Sequence, residues 1–208
     1  YLFLGFEGGW VCSHLAMTGK WLPMSQVGVR GRFVRFQLHF DEHVLAFLDT
    51  RKLGKLDPLP TQDWQAWLRA RRVGLDVFDS HLTSAVLHGK FLKTRRPVKS
   101  VLLDQKVLAG VGNIYACEAL FLARVAPTTR ACDLGLSATD RILKFIRQVM
   151  EMSLAREEGE EIYYLTEGNP DNPFLVYGRK GKPCTHCGCS ISRIIQQGRS
   201  TFFCAQCQ

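Results

Sequence analysis

Four cysteines stand in two pairs at the C-terminal end of the chain, Cys184-x-x-Cys187 and Cys204-x-x-Cys207, with sixteen residues between the pairs. Each pair is spaced to turn two thiolates toward one point. Two such knuckles supply the four sulfurs, about 2.3 Å from the metal, of a tetrahedral Zn²⁺ site. One structural zinc is therefore expected. Cys189 and His186 are near enough to be rival ligands but break the paired spacing. Cys12, Cys117, Cys132 and Cys189 are scattered, and buried thiols are the expected role for most of them. A zinc ribbon with no binding role is the open alternative at this point. Against it, Gly178 to Gln208 carries five basic residues and no acid.

A second segment with chemical potential is LAGVGNIY, Leu108 to Tyr115, a glycine-rich turn before an apolar stretch, with Asn113 placed to cap a helix that begins there. A helix start of this kind offers free backbone N–H groups to an anion, and a DNA phosphate suits it. A glycine-rich connection between packed helices would look the same. Two further stretches, His14 to Lys20 and Asp49 to Gly54, fall on strand ends or loops, where side chains reach a ligand. Taken alone, Met17 and Leu53 read as core and His14 as a satisfied polar residue.

The elements that must position these residues change character along the chain. Tyr1 to Phe6 and Trp10 to Leu15 read as strands joined at Gly8-Gly9. Val34, Phe36, Leu38 and Phe40 alternate with polar residues, as on a strand with one buried face, and Val44 to Leu48 follows after a turn. Pro58 and Pro60 end that pattern, and Trp64, Trp67 and Leu68 take up helical spacing. Ser137 and Asp140 form a plausible capping pair ahead of Ile142, Phe145, Ile146, Val149 and Met150. GNPDNP, Gly168 to Pro173, reads as a loop, and ISRIIQQGRSTFF as a β-hairpin with Arg199 at or beside its tip. The fold class is α+β, with boundaries expected to give units 1–57, 58–176 and 177–208.

Composition is that of a soluble globular protein with an excess of basic residues. The 208 residues carry a net charge of +8 and a pI near 9.2, which favours a polyanion through counterion release. Six basic residues against Asp104 alone crowd Lys90 to Lys106. No apolar run reaches the roughly 18 residues of a membrane span, and the opening YLFLGFEGGW lacks a signal-peptide pattern. An intracellular, DNA-containing compartment is expected, the cytoplasm or nucleoid of a bacterium or a eukaryotic nucleus.

HLAMTGKW, LDTRKLGKL, KSVLLDQKVLAGVGNIYACEALFLARVAP and VYGRKGKPCTHCG…GRSTFFCAQCQ, in this order and spacing, resemble the formamidopyrimidine-DNA glycosylase and endonuclease VIII family over nearly the whole chain. The resemblance implies a partial antiparallel β-sandwich, a helix-two-turns-helix domain and a C-terminal β-hairpin zinc finger. It implies damaged double-stranded DNA as the partner of a monomer. Asn113 looks like the asparagine that holds the phosphate beside the lesion, and Lys99 resembles a second phosphate ligand. Arg199 is similar to the finger arginine that contacts the same backbone and assists strand cleavage. Met17 and Leu53 fall on the apolar wedges and Arg51 on the residue facing the orphaned base, with His14 among the DNA-contacting set.

The match has departures. The family's mechanism, as the resemblance implies it, starts from an N-terminal proline amine attacking C1′, with a glutamate and a lysine nearby, and none of the three is in this sequence. The expectation is that about sixty residues of the β-domain precede Tyr1. Arg32-Phe33 stands where Lys-His is common, and Leu53 where phenylalanine is usual. Gly159 to Tyr177 is shorter than the segment that covers 8-oxoguanine in the formamidopyrimidine branch. The implied function is base-excision repair: a DNA glycosylase with AP lyase activity (β,δ-elimination) on oxidised purines or pyrimidines. The alternative is a non-catalytic zinc-finger protein that binds lesion DNA.

Overall fold

Alternation and hairpin turns organise the first part of the chain into two small antiparallel sheets. In the computed structural model, residues 1–24, 31–41, 43–59, 63–157 and 172–208 are described, apart from the side chains of 156 and 157. Contacts divide the chain into two units, Tyr1–Arg71 and Arg72–Gln208.

In the first unit, Leu2–Phe6 (β1) and Gly9–His14 (β2) form a hairpin whose two-residue turn, Glu7-Gly8, is closed by Phe6 opposite Gly9. The remaining strands are Gly19–Met24 (β3), Val34–His39 (β4), Val44–Asp49 (β5) and Lys55–Leu59 (β6). One sheet runs β1-β2-β6 and the other β3-β5-β4. Trp21 joins the sheets: its indole N–H donates to Ser13 Oγ (3.0 Å), and its ring lies 5.1 Å from that of buried Phe47.

Two expectations need correction. The alternation across β4 is interrupted by a register shift between Val34 and Phe36, which leaves Phe36 41% exposed and only edge-on to Trp21. Pro58 does not end the β-region but lies within β6, opposite Val11, on an edge strand where a missing N–H costs no ladder bond. Helix α1 (Trp64–Ala70) packs back on the first sheet and is grouped with the first unit. Trp64 stacks near Phe3 (5.2 Å), Trp67 meets Tyr1 (5.0 Å) and Phe3, and the Arg71 guanidinium lies 3.5 Å over Trp67. Asp63 starts α1 by accepting the Ala66 N–H at 2.8 Å.

The second unit holds Leu75–Asp76 (β7) paired in parallel with Leu108–Ala109 (β8), helices α2 (Ser84–Phe91), α3 (Val98–Leu102), α4 (Asn113–Leu122) and α5 (Leu136–Glu157), and a hairpin of Ser192–Gln196 (β9) and Arg199–Phe203 (β10). The helical core gathers Leu87 and Phe91 of α2, Val101 and Leu102 of α3, Leu120 of α4, and Ile142 and Ile146 of α5, all fully buried. Each such side chain contributes about 1.5–3 kcal/mol by leaving water. The apolar spacing of α5 thus buries the face expected of it. Ser137 and Asp140 do not cap it, because the helix already begins at Leu136. Ser137 Oγ instead accepts from Arg141 Nη1 (3.3 Å), and Asp140 accepts from the Ser84 hydroxyl of α2.

Between α3 and α4 the chain makes two turns. The Asp104 carbonyl accepts the N–H groups of Val107 and Leu108, while the Gln105 amide receives Gly110 N–H (3.0 Å) and donates to Val111 O (3.1 Å). Gly110 has φ +88°, a backbone that L side chains rarely adopt. Most of GNPDNP lies outside the described residues. Among those described, no helix is long and apolar enough to cross a membrane.

Candidate functional site

The two knuckles converge. The Sγ atoms of Cys184, Cys187, Cys204 and Cys207 all lie within 4.8 Å of one another, with 3.9 Å between Cys184 and Cys207 and 3.5 Å between Cys187 and Cys204. A tetrahedron of sulfurs about 2.3 Å from zinc has edges of roughly 3.8 Å, close to the two separations just given, so the cage fits the ion. Local backbone bonds shape it: Gly188 N–H donates to Cys184 O (2.9 Å) and His186 N–H to Cys184 Sγ (3.4 Å). Gln208 fastens the second knuckle, accepting Cys204 N–H (2.9 Å) and donating to Val125 O (2.9 Å). His186 turns its ring onto Phe121 (5.0 Å) and is no ligand, and Cys189 is outside the cluster. Of the scattered thiols, Cys12 and Cys117 are buried, Cys132 is half-buried and Cys189 exposed.

The hairpin held by the cage turns at Gln197 (φ +49°) and Gly198 (φ +73°), the paired left-handed conformation of a tight two-residue turn, and Arg199 opens β10 beside that tip, exposed. Behind Arg199 lies a polar junction between hairpin and helices. Lys99 Nζ donates to Asn113 Oδ1 (2.6 Å), Thr201 Oγ1 (2.7 Å) and Ser200 O (3.4 Å), and Asn113 Nδ2 donates to Ser200 O (2.9 Å).

One sequence expectation is corrected at this junction, and Lys99 is placed there. Asn113 is the first residue of α4 and not its cap: Gly112 takes the cap position, and the Asn113 side chain is committed to Lys99 and Ser200. Lys99, expected on a phosphate, is 0% exposed with its ammonium spent on protein acceptors. Burial, with Arg199 nearby, pushes its pKa down, and Cys117 partly opposes this. The groups left toward solvent are Arg199 and the half-buried start of α4.

Glu118 was not singled out from the sequence. On α4 it is almost fully buried, and its carboxylate gathers three successive N–H groups: Leu175 (2.7 Å), Val176 (2.9 Å) and Tyr177 (2.8 Å). Burial raises its pKa, while these N–H donors and Arg179 pull the other way. A lone acid inside the apolar run ACEALFL was the available signal. Glutamine there has one acceptor oxygen and turns an NH₂ toward an N–H. Glu118→Gln is expected to lower stability by about 2–3 kcal/mol, read as a drop in the denaturant midpoint. Of Gly159 to Tyr177, read above as shorter than the segment that covers 8-oxoguanine, the residues up to 171 lie outside the described ones.

In the first unit, two loops bring the other expected residues together. Met17 (65% exposed) sits between β2 and β3, and Arg51 and Leu53, both exposed, lie between β5 and β6. Arg51 Nη1 approaches Met17 Sδ at 3.4 Å. Buried Asp49 spans both loops: it accepts the Thr18 hydroxyl from one and, from the other, the N–H groups of Arg51 (3.1 Å) and Gly54 (2.7 Å). The Thr18 hydroxyl and these backbone donors hold its pKa down to about 2. A depressed carboxylate pKa contributes stability above the unfolded value of about 4, lost as pH falls through the folded value, so the clamp is intact at neutral pH. His14 ends β2 opposite Lys55, its ring 5.0 Å from Tyr1. Partial burial and the Lys55 charge lower its pKa.

Comparison with known proteins matches three successive stretches of the chain. The family described as "Formamidopyrimidine-DNA glycosylase N-terminal domain" matches residues 1–56, "Formamidopyrimidine-DNA glycosylase H2TH domain" residues 73–163, and "Zinc finger found in FPG and IleRS" residues 181–208. The formamidopyrimidine-DNA glycosylase of Gluconobacter oxydans is 36% identical over 219 residues, covering 100% of this chain and 79% of its own. That of Synechocystis sp. is 37% identical over 209 residues, covering 96% of this chain and 72% of its own. Among solved structures, the Lactococcus lactis formamidopyrimidine-DNA glycosylase bound to AP-site DNA superposes with TM-score 0.88 at 26% identity, covering 100% of this chain and 77% of that one. MutM in complex with DNA containing carbocyclic 8-oxo-G gives TM-score 0.88 at 28% identity, with coverage of 100% and 78%.

Proposed function

The chain belongs to the formamidopyrimidine-DNA glycosylase family, and from that premise we propose that it serves base-excision repair as a DNA glycosylase with AP lyase activity (β,δ-elimination) on oxidised bases, formamidopyrimidines foremost, in duplex DNA. The observation that carries the reading is the junction of the zinc hairpin with the start of α4. Arg199 and the α4 N–H groups offer a cation and donors for one stretch of DNA backbone, while Lys99 and Asn113 hold the two elements in register. In the first unit, Met17 and Leu53 would fill the space a flipped nucleotide vacates and Arg51 would face the orphaned base, offsetting an unstacking cost of a few kcal/mol. Met17 with Arg51 favours oxidised purines over pyrimidines. The protein would act as a monomer wherever the cell keeps its DNA.

Binding tests the DNA half of this reading. The chain should bind a duplex with an abasic analogue at least about tenfold tighter than an intact duplex. Arg199→Ala should weaken that binding and lower the slope of log Kd against log salt by about one, with the zinc content unchanged. Equal zinc loss in that variant would make Arg199 structural. Borohydride trapping tests the chemistry, on protein carrying the proline the family resemblance implies. If it gives no covalent adduct with abasic or formamidopyrimidine DNA, the enzymatic reading fails.

A further inference from the structure

The loops that present Met17, Arg51 and Leu53 share more than proximity. Below them, the buried ring of Phe47 fills the gap between Gly19 and Gly54. A Cβ on Gly19 would lie 2.8 Å from Phe47 Cζ, and one on Gly54 2.5 Å. Above the ring, Asp49 Oδ1 takes Thr18 of the first loop and Arg51 N–H of the second, and Oδ2 takes Gly54 N–H. Each loop also contains a non-glycine residue in the left-handed region, Ala16 (φ +54°) and Lys52 (φ +57°), a conformation kept only where the surroundings over-determine it. We infer that Asp49 is a positioning residue for opposite-base recognition: bridging Thr18 and Arg51, it makes the two loops one preorganised wedge and sets where the Arg51 guanidinium stands.

This rests on the void-filling role proposed above for Met17, Arg51 and Leu53. Asp49 touches no DNA in this scheme. It acts because Arg51 can discriminate among bases only if its backbone is held, and the Arg51 N–H is shared between the Asp49 carboxylate (3.1 Å) and the Thr18 hydroxyl that Asp49 itself holds (3.3 Å). Asparagine in its place keeps the size but replaces one acceptor oxygen with an NH₂, which the Thr18 hydroxyl can accept but a backbone N–H cannot, so either the Arg51 or the Gly54 contact must break.

The test is equilibrium binding of the chain to four duplexes carrying a tetrahydrofuran abasic analogue opposite A, C, G or T. Wild type should spread its Kd values about tenfold or more across the four, the range of a specific base contact. Asp49→Asn should compress that spread to within about twofold while affinity for undamaged duplex stays the same. Thr18→Val should compress it partly and Thr18→Ser restore it. A folded Asp49→Asn protein, judged by tryptophan fluorescence, that keeps the full spread overturns the inference. Should that variant unfold, Thr18→Val against Thr18→Ser decides in the same terms. If Arg51→Ala leaves the wild-type spread intact, the void-filling reading itself is what fails.

Discussion

Cys204→Ser is expected to release the zinc and to weaken duplex binding by at least about a hundredfold, a larger loss than Arg199→Ala or Lys99→Met should cause. The reason is the size of what the metal holds. The finger's own core is Ile191, Phe202 and the buried edge of the cage, too little to order the strands alone. Structural zinc supplies about 10–16 kcal/mol of folding free energy to such a module. Without it β10 loses its place, and Ser200 O and Thr201 Oγ1 move away from Lys99. The fully buried ammonium then keeps only Asn113, a state costly enough to loosen α3 and α4 as well. Metal content by colorimetric release and Kd by fluorescence anisotropy measure both outcomes. If the metal-free protein held DNA as tightly as the wild type, the binding surface would lie elsewhere in the chain.

Features with short sequence signatures were the legible ones. The Cys-x-x-Cys spacing led to the cage, Gln197-Gly198 to the turn beside Arg199, and the i, i+4 pair Ile142 and Ile146 to the buried face of α5. What could not be read was the direction a polar side chain takes when its partner is distant in sequence. Asn113 pairs with Ser200 across 87 residues and Lys99 with Thr201 across 102, and those bonds decide that Asn113 does not cap and that Lys99 is buried. Glu118 was overlooked for the same reason, since its partners are the backbone N–H groups of Leu175 to Tyr177, and the bond by which Asp49 joins two loops goes to Thr18, 31 residues away. Tertiary packing also overrode local punctuation at Pro58, where an edge strand tolerates proline, and at α1, which the aromatic contacts of Trp64 and Trp67 draw into the first unit. Local rules place elements; long-range hydrogen bonds assign their side chains.

Lys99→Met separates the two roles open to that lysine, and its salt dependence is the deciding quantity. Methionine keeps the volume of the lysine stem, so the helical packing around it should survive. Two effects then oppose each other in stability. Removing a desolvated cation is favourable, and burial already works against the charged form. Stranding Asn113 Oδ1 and Thr201 Oγ1 is unfavourable by about 1–3 kcal/mol per unpartnered group. With two acceptors stranded, the second effect should win modestly, giving a net loss of about 1–2 kcal/mol. Affinity should fall further, because Asn113 and the hairpin no longer share a fixed register and Arg199 leaves its line with the start of α4. A weakening of about thirtyfold corresponds to about 2 kcal/mol of lost preorganisation. A lysine touching phosphate directly would release about one counterion, so its loss would reduce the slope of log Kd against log salt by about one. A lysine that only holds protein groups in place should leave the slope as it was and shift the whole line. Because the ammonium is 0% exposed and bonded to three protein acceptors, the parallel shift is the expected result. A reduced slope would mean that the Lys99 ammonium leaves Thr201 and reaches DNA when the complex forms.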